Sequence, residues 1–72
     1  MDFLKKYVLR EIKGIYILVD IKENELIEVD KDTFLLIKML KAGMHNPTSI
    51  GNKMGKCTAD IEYMIDEIIK TL

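Results

Sequence analysis

Residues 26–43 read LIEVDKDTFLLIKMLKAG, and the apolar period changes within them. Leu26, Ile27 and Val29 around a single glutamate read as a short strand. Past Asp30-Lys31-Asp32 the spacing turns helical. Phe34, Ile37, Lys38 and Lys41 follow the 3.6 period, and Leu36, Met39 and Leu40 widen the apolar face well beyond a narrow stripe, so this helix is predicted to be largely buried. Asp30 or Asp32 suits its amino end as a cap, Lys38 and Lys41 suit the negative end of its dipole, and Gly43 suits a left-handed stop.

The sheet is legible upstream. YVLREI (residues 7–12) and IYILVD (residues 15–20) are rich in β-branched and aromatic residues, and with residues 26–29 they predict three strands. Lys13-Gly14 and Lys22-Glu23-Asn24-Glu25 separate them, glycine and asparagine supplying the positive φ of tight hairpin turns. Loops this short force antiparallel neighbours, so the sheet is a meander with the third strand at an edge.

Downstream, HNPTSIGNKMG predicts a short helix, with Asn46 as cap, Pro47 at the first helical position, Ile50 and Met54 one turn apart, and Gly55 as the stop. Gly51 inside it costs about 1 kcal/mol relative to alanine, which points to close packing or a frayed element. TADIEYMIDEIIKTL is the clearest helix, because Ile61, Met64, Ile65, Ile68, Ile69 and Leu72 recur at helical spacing. Thr58 is its expected cap, and Glu62, Tyr63, Asp66, Glu67 and Lys70 occupy the opposite face. The expected fold is α+β and winged-helix-like: a three-stranded antiparallel meander followed by three α-helices, as one domain over residues 1–72.

Composition narrows the function. With 72 residues, of which 49% are apolar and 32% charged, the chain reads as a small soluble domain. A domain this small buries only about 60% of its unfolded surface and has little room for a catalytic cleft. The longest apolar run, residues 15–19, falls far short of the roughly 18 residues that cross a bilayer. The amino end, MDFLKK, lacks the apolar centre of an export signal, so the expected compartment is the cytoplasm.

Cys57 and His45 are the only residues of their kinds, too few for a zinc site or an internal disulfide. The carboxylates lack calcium-loop spacing, the four glycines form no phosphate-cradling loop, and nothing in the sequence brings Cys57 and His45 together as a nucleophilic pair. The expectation is a binding module rather than an enzyme, with no metal and no cofactor.

A small sheet with three helices is the winged-helix arrangement, which commonly places a helix in the major groove of DNA. The charges oppose that use here. The last helix presents Asp60, Glu62, Asp66 and Glu67 against Lys70 alone, a field that repels phosphates. Asn46, Thr48, Ser49, Asn52, Lys53 and Lys56 of the second helix region, and Lys5, Lys6, Arg10 and Lys13, offer scattered donors only. A winged-helix DNA-binding domain of a small transcriptional regulator is the alternative reading.

The order of elements resembles the PqqD-like family, recognition elements that hold the leader segment of ribosomally made peptide precursors during their modification. The likeness rests on YVLREIKGIYILVD as a hairpin, LIEVDKDTFLLIKMLKAG as a strand feeding an apolar helix that ends in glycine, and SIGNKMG followed by DIEYMIDEIIKTL. It spans nearly the whole chain. Where the family often has an asparagine at the helix entry, this chain has Asp30.

The resemblance implies a peptide chaperone without chemistry of its own. The leader would add as an antiparallel strand to the edge of the third strand, in the groove against the third helix, and be presented to a modifying enzyme such as a radical SAM maturase, a cyclase or a leader peptidase. Carried across by position, Leu26, Ile27, Glu28 and Val29 would offer the backbone rungs. Ile61, Met64, Ile65 and Ile68 would line the groove, with Tyr63 or Glu62 at its rim. An edge strand suits this use, since its unpaired amide and carbonyl groups accept an extended peptide while alternate side chains enter a neighbouring pocket. The same edge can also pair with a second copy, giving an edge-strand homodimer.

Overall fold

Two consecutive positive φ angles set the register of the sheet. β1 (Tyr7–Ile12) and β2 (Ile15–Asp20) are joined by Lys13 at φ 52° and Gly14 at φ 81°, in a computed structural model that describes residues 2–72. Two residues with positive φ form the hairpin turn whose twist matches that of the flanking strands. Ile12 faces Ile15 across it, and pairing runs back to Tyr7 opposite Asp20. β3 (Glu25–Val29) returns after residues 21–24, where Asn24 takes φ 57° and the Asp20 carboxylate accepts the Glu23 N–H at 3.1 Å. The turn thus ends one residue earlier than expected, and Glu25 belongs to the strand. The sheet is antiparallel in the order β1-β2-β3. As predicted, a meander precedes three helices, in an α+β arrangement. The amino-terminal reading begins at Met1, which lies outside the described residues.

Alternation along the strands puts Tyr7, Leu18 and Ile27 on one face, and all of the core lies there. Leu18 is fully buried among Leu4, Tyr7, Leu36, Ile37, Leu40, Ile50, Ile61 and Ile68. Burying each such aliphatic side chain contributes about 1.5–3 kcal/mol. Tyr16 and Phe34 bring the sheet and the first helix into aromatic contact, with ring centroids 4.9 Å apart and planes tilted by 51°.

That first helix, α1 (Lys31–Lys41), starts as its sequence demands: Asp30 is the cap, and its carboxylate accepts the Thr33 N–H at 2.7 Å. It ends in a Schellman closure. Met44 N–H donates to Met39 C=O at 3.0 Å, Gly43 N–H donates to Leu40 C=O at 3.1 Å, and Gly43 takes φ 93°. Lys41, in the last turn, donates to the carbonyls of Leu4 and Tyr7 and so ties the helix to the start of β1. The segment it grips is a 3-10 helix over Asp2–Lys6, an element outside the predicted three strands and three helices, and its Leu4 is 1% exposed.

α2 (Pro47–Met54) has the expected cap, since Asn46 accepts the N–H groups of Thr48 and Ser49, and Gly55 closes it at φ 70°. Gly51 is buried for a packing reason. A Cβ there would lie 2.5 Å from the Lys56 carbonyl oxygen and 3.5 Å from Ile61. Removing that atom lets α2 and α3 (Thr58–Thr71) approach closely across a short turn.

Two expectations for α3 are corrected. Cys57, not Thr58, occupies the cap position and makes no side-chain capping bond, while the Thr58 hydroxyl lies 3.1 Å from that of Thr48. That contact braces the starts of α2 and α3 against each other. Ile69 continues the apolar period but is 53% exposed, because it lies about 100° round the helix from Ile68, at the edge of the stripe whose buried residues are Ile61 and Ile68. No helix among the described residues is long and apolar enough to cross a membrane.

Candidate functional site: the groove between β3 and α3

The hairpin turn decides which backbone groups reach the open edge. Closure of the two-residue loop makes Ile12 and Ile15 a hydrogen-bonded pair, and bonded and non-bonded pairs alternate along an antiparallel ladder. β2 therefore directs the peptide groups of Ile15, Ile17 and Val19 toward β1 and those of Tyr16, Leu18 and Asp20 toward β3. Their partners on β3 are Val29, Ile27 and Glu25. Leu26 and Glu28 turn N–H and C=O away from β2, toward the side where β3 has no neighbouring strand among the described residues. Of the four residues expected to offer rungs, these two have outward backbone groups. Ile27 and Val29 have theirs committed to the sheet.

The side chains divide the opposite way. Ile27 and Val29 point to the core face and are half-buried, whereas Leu26 is 72% exposed on the outer face. Between β3 and α3 lies an open groove of about 510 Å³, within the range of ligand-sized concavities. Ile27 and Val29 form one wall, Met64, Ile68 and Leu72 the other, and Thr33 lies toward the start of α1. Tyr63, 67% exposed, stands at the rim. A residue of an added strand that paired opposite Ile27 would direct its side chain to the same face as Ile27, into this groove.

The structure thus brings Ile27, Glu28, Val29, Tyr63, Met64 and Ile68 around one concavity. It leaves three of the sequence-derived candidates off the groove lining. Ile61 is fully buried under the helices, Ile65 is half-buried in the core surround, and the Leu26 side chain faces away. Ile61 and Ile65 share the helical period with Met64 and Ile68 but lie on the core-ward side of the stripe, rotated about 60° and about 100° from Met64 at about 100° per residue.

The groove is acidic. Asp30, Asp32 and Glu67 contribute to its lining, and no lysine, arginine or histidine does, while Glu28 borders it from β3 with its side chain alternating to the outer face beside Leu26. Asp30 is engaged as the helix cap. Hydrogen bonds from Thr33, its side chain first and then its backbone, hold the Asp30 carboxyl below the usual aspartate value, and the charge of Lys56 adds to this. Asp32 pairs with Lys56 at 3.1 Å, and that pairing raises the Lys56 ammonium above the usual lysine value. Glu67 faces the groove without such a partner among the described residues.

Asp30, Asp32, Thr33, Thr71 and Leu72 were not among the sequence-derived candidates. The signal that could have found Thr71 is spacing from Met64, since the residue seven further along shares its side of the helix. The α1 residues join the site only because the helix entry folds over the end of β3, which no local pattern shows. In comparisons with family models, curated proteins and solved structures, nothing matches this chain.

Proposed function

We propose that this protein is a non-catalytic peptide-recognition module that takes an extended peptide as a fourth strand on β3, with alternate side chains seated against α3. The observation that carries the reading is the coincidence of an open strand edge, with Leu26 and Glu28 backbone groups directed outward, and an apolar-floored groove beside it. Backbone pairing gives affinity tolerant of sequence, and the groove selects side chains. The resemblance to PqqD-like proteins makes the occupant the leader of a ribosomally made precursor. The consumer is then a separate modifying enzyme in the cytoplasm, a radical SAM maturase, a cyclase or a leader peptidase. Holding the leader raises the local concentration of the peptide's reacting part near that enzyme without new contacts to it.

Charge refines the occupant. Asp30, Asp32 and Glu67 line the groove and no base does, so a peptide that places lysine or arginine beside its apolar anchors is favoured over an acidic one. Against the alternative of a DNA-binding domain stands α3, whose Asp60, Glu62, Asp66 and Glu67 are all exposed.

The test is selection from a random peptide library on the immobilised protein, followed by amide-shift mapping of a selected peptide. Shifts are expected at residues 26–29 and along α3, with basic residues enriched among the selected sequences. Shifts confined to residues 46–56, or duplex DNA binding that collapses steeply with salt, overturn the reading in favour of DNA.

A further inference from the structure

The outer face of the sheet is apolar and uncovered. Alternation places Val8 and Ile12 of β1, Ile15, Ile17 and Val19 of β2, and Leu26 of β3 on the side away from the helices. Ile12 is 55% exposed and Ile15 45%, and Leu26 is more open still. An antiparallel sheet with one solvated face ordinarily alternates apolar inside with polar outside. Here the solvated face is apolar as well, and a contiguous patch of that kind marks an interaction surface.

Only two charged residues fall within it, and their placement is informative. The register aligns Arg10, Ile17 and Glu28 in one row across the three strands, so the two charges flank Ile17 symmetrically. Both are exposed, and neither has an ion-pair partner among the described residues.

We infer that this face binds a second copy of the chain, sheet against sheet, about a two-fold axis lying between the sheets and running close to the direction of β2. Rotation about that axis carries β1 of one copy over β3 of the other. Arg10 then meets Glu28 of the second copy, Glu28 meets Arg10, and Ile17 packs on Ile17 at the centre. The neighbouring row, Val8–Val19–Leu26, superposes Leu26 on Val8, Val19 on Val19 and Val8 on Leu26, so apolar meets apolar throughout. A two-fold at right angles to the strands instead stacks Arg10 on Arg10 and Glu28 on Glu28. The charges therefore select one of the two simple arrangements, and the patch is self-complementary as an isologous interface requires. Aligned packing of sheets at about 10 Å is an ordinary geometry for such faces.

Three strands about 4.8 Å apart make this a small face, below the roughly 800 Å² per partner of a standard interface, so the dimer is reversible. It is distinct from edge pairing. The groove lies on the helix side of the sheet and the open backbone edge of β3 at its flank, so each copy keeps its groove free and the dimer presents two.

Sedimentation across a micromolar to millimolar concentration series tests this, with circular dichroism to confirm the fold of each variant. The wild-type mass is expected to rise toward two chains. Arg10→Glu and Glu28→Arg alone each abolish the rise, because every pair becomes like-charged, and the double variant Arg10→Glu/Glu28→Arg restores it. Leu26→Glu, at a position that supports no core, also gives a monomer. A wild type that stays monomeric at millimolar concentration, a single swap that leaves the mass unchanged, or a double swap that fails to restore it overturns the inference.

Discussion

Ile27 of β3 stands opposite Leu18 of β2 in a hydrogen-bonded pair, and Glu28, one residue further, is out of phase with that ladder. Proline therefore has opposite consequences at adjacent positions. Ile27→Pro removes a donor that the sheet uses and leaves the Leu18 carbonyl without it inside the core, at a cost of about 1–3 kcal/mol. Glu28→Pro removes a donor that faces the open edge. Thermal denaturation is expected to show a large loss for Ile27→Pro and a small one for Glu28→Pro, while the second variant loses affinity for a selected peptide. Unimpaired peptide binding by folded Glu28→Pro counts against strand addition.

Tyr63 and Ile61 lie two residues apart on α3 and separate the site from the core. Truncating Ile61, which is fully buried, is expected to cost about 2–5 kcal/mol, a large share of the stability of so small a domain. Tyr63→Ala should change stability by no more than about 0.5 kcal/mol, since the ring is largely exposed. Its effect belongs to binding, where loss of an aromatic contact at the rim is expected to weaken a selected peptide about tenfold, or roughly 1.4 kcal/mol. Denaturation and fluorescence-anisotropy titration on the same pair of variants check both.

Most of this fold was legible because its signals are local. The hairpin follows from Gly14 and Asn24, the caps from Asp30 and Asn46, and the last helix from its isoleucine spacing. Lys13 at positive φ was not legible, since lysine carries no preference for it and the neighbouring glycine takes the other half of the turn. Leu4 escaped for a different reason. Its burial depends on Lys41, thirty-seven residues away, which grips the backbone of the opening 3-10 turn. The site was half legible: strand alternation identified Ile27 and Val29 as inward-facing, but helical period alone could not separate Met64 and Ile68 in the groove from Ile61 beneath it. Asp30 and Asp32 read as helix-entry acids, and only tertiary packing makes them groove residues as well.

Asp30 links the groove entrance to pH. Its folded pKa lies below the model-peptide value of 3.8, so the folded state favours the charged carboxylate. The stabilisation is complete above pH 3.8 and is lost as pH falls through the folded pKa. Asparagine keeps the capping acceptor but does not titrate, and its capping strength is close to that of aspartate. The stability difference between wild type and Asp30→Asn should hold constant through neutral pH and move in favour of asparagine under acid. Asp30→Ala should cost about 1 kcal/mol at neutral pH through loss of the cap itself. Urea denaturation of the three proteins over an acid pH series measures both effects.

Gly51 tests how closely the helices of the site are held. Alanine in place of glycine within a helix ordinarily gains about 1 kcal/mol. At Gly51 the added Cβ lies 2.5 Å from the Lys56 carbonyl oxygen, a backbone atom that cannot swing aside as a side chain can. Relief requires the turn between α2 and α3 to move, and overpacking of this kind costs about 1–3 kcal/mol. The clash outweighs the propensity gain, so Gly51→Ala is expected to lower the denaturation midpoint with little change in the urea slope. The displaced turn carries Lys56, whose ammonium pairs with Asp32 at the groove lining. Peptide affinity should therefore change with stability in Gly51→Ala, although residue 51 does not line the groove. A stabilised Gly51→Ala protein with wild-type affinity shows that the turn gives way freely and does not set the spacing of α3.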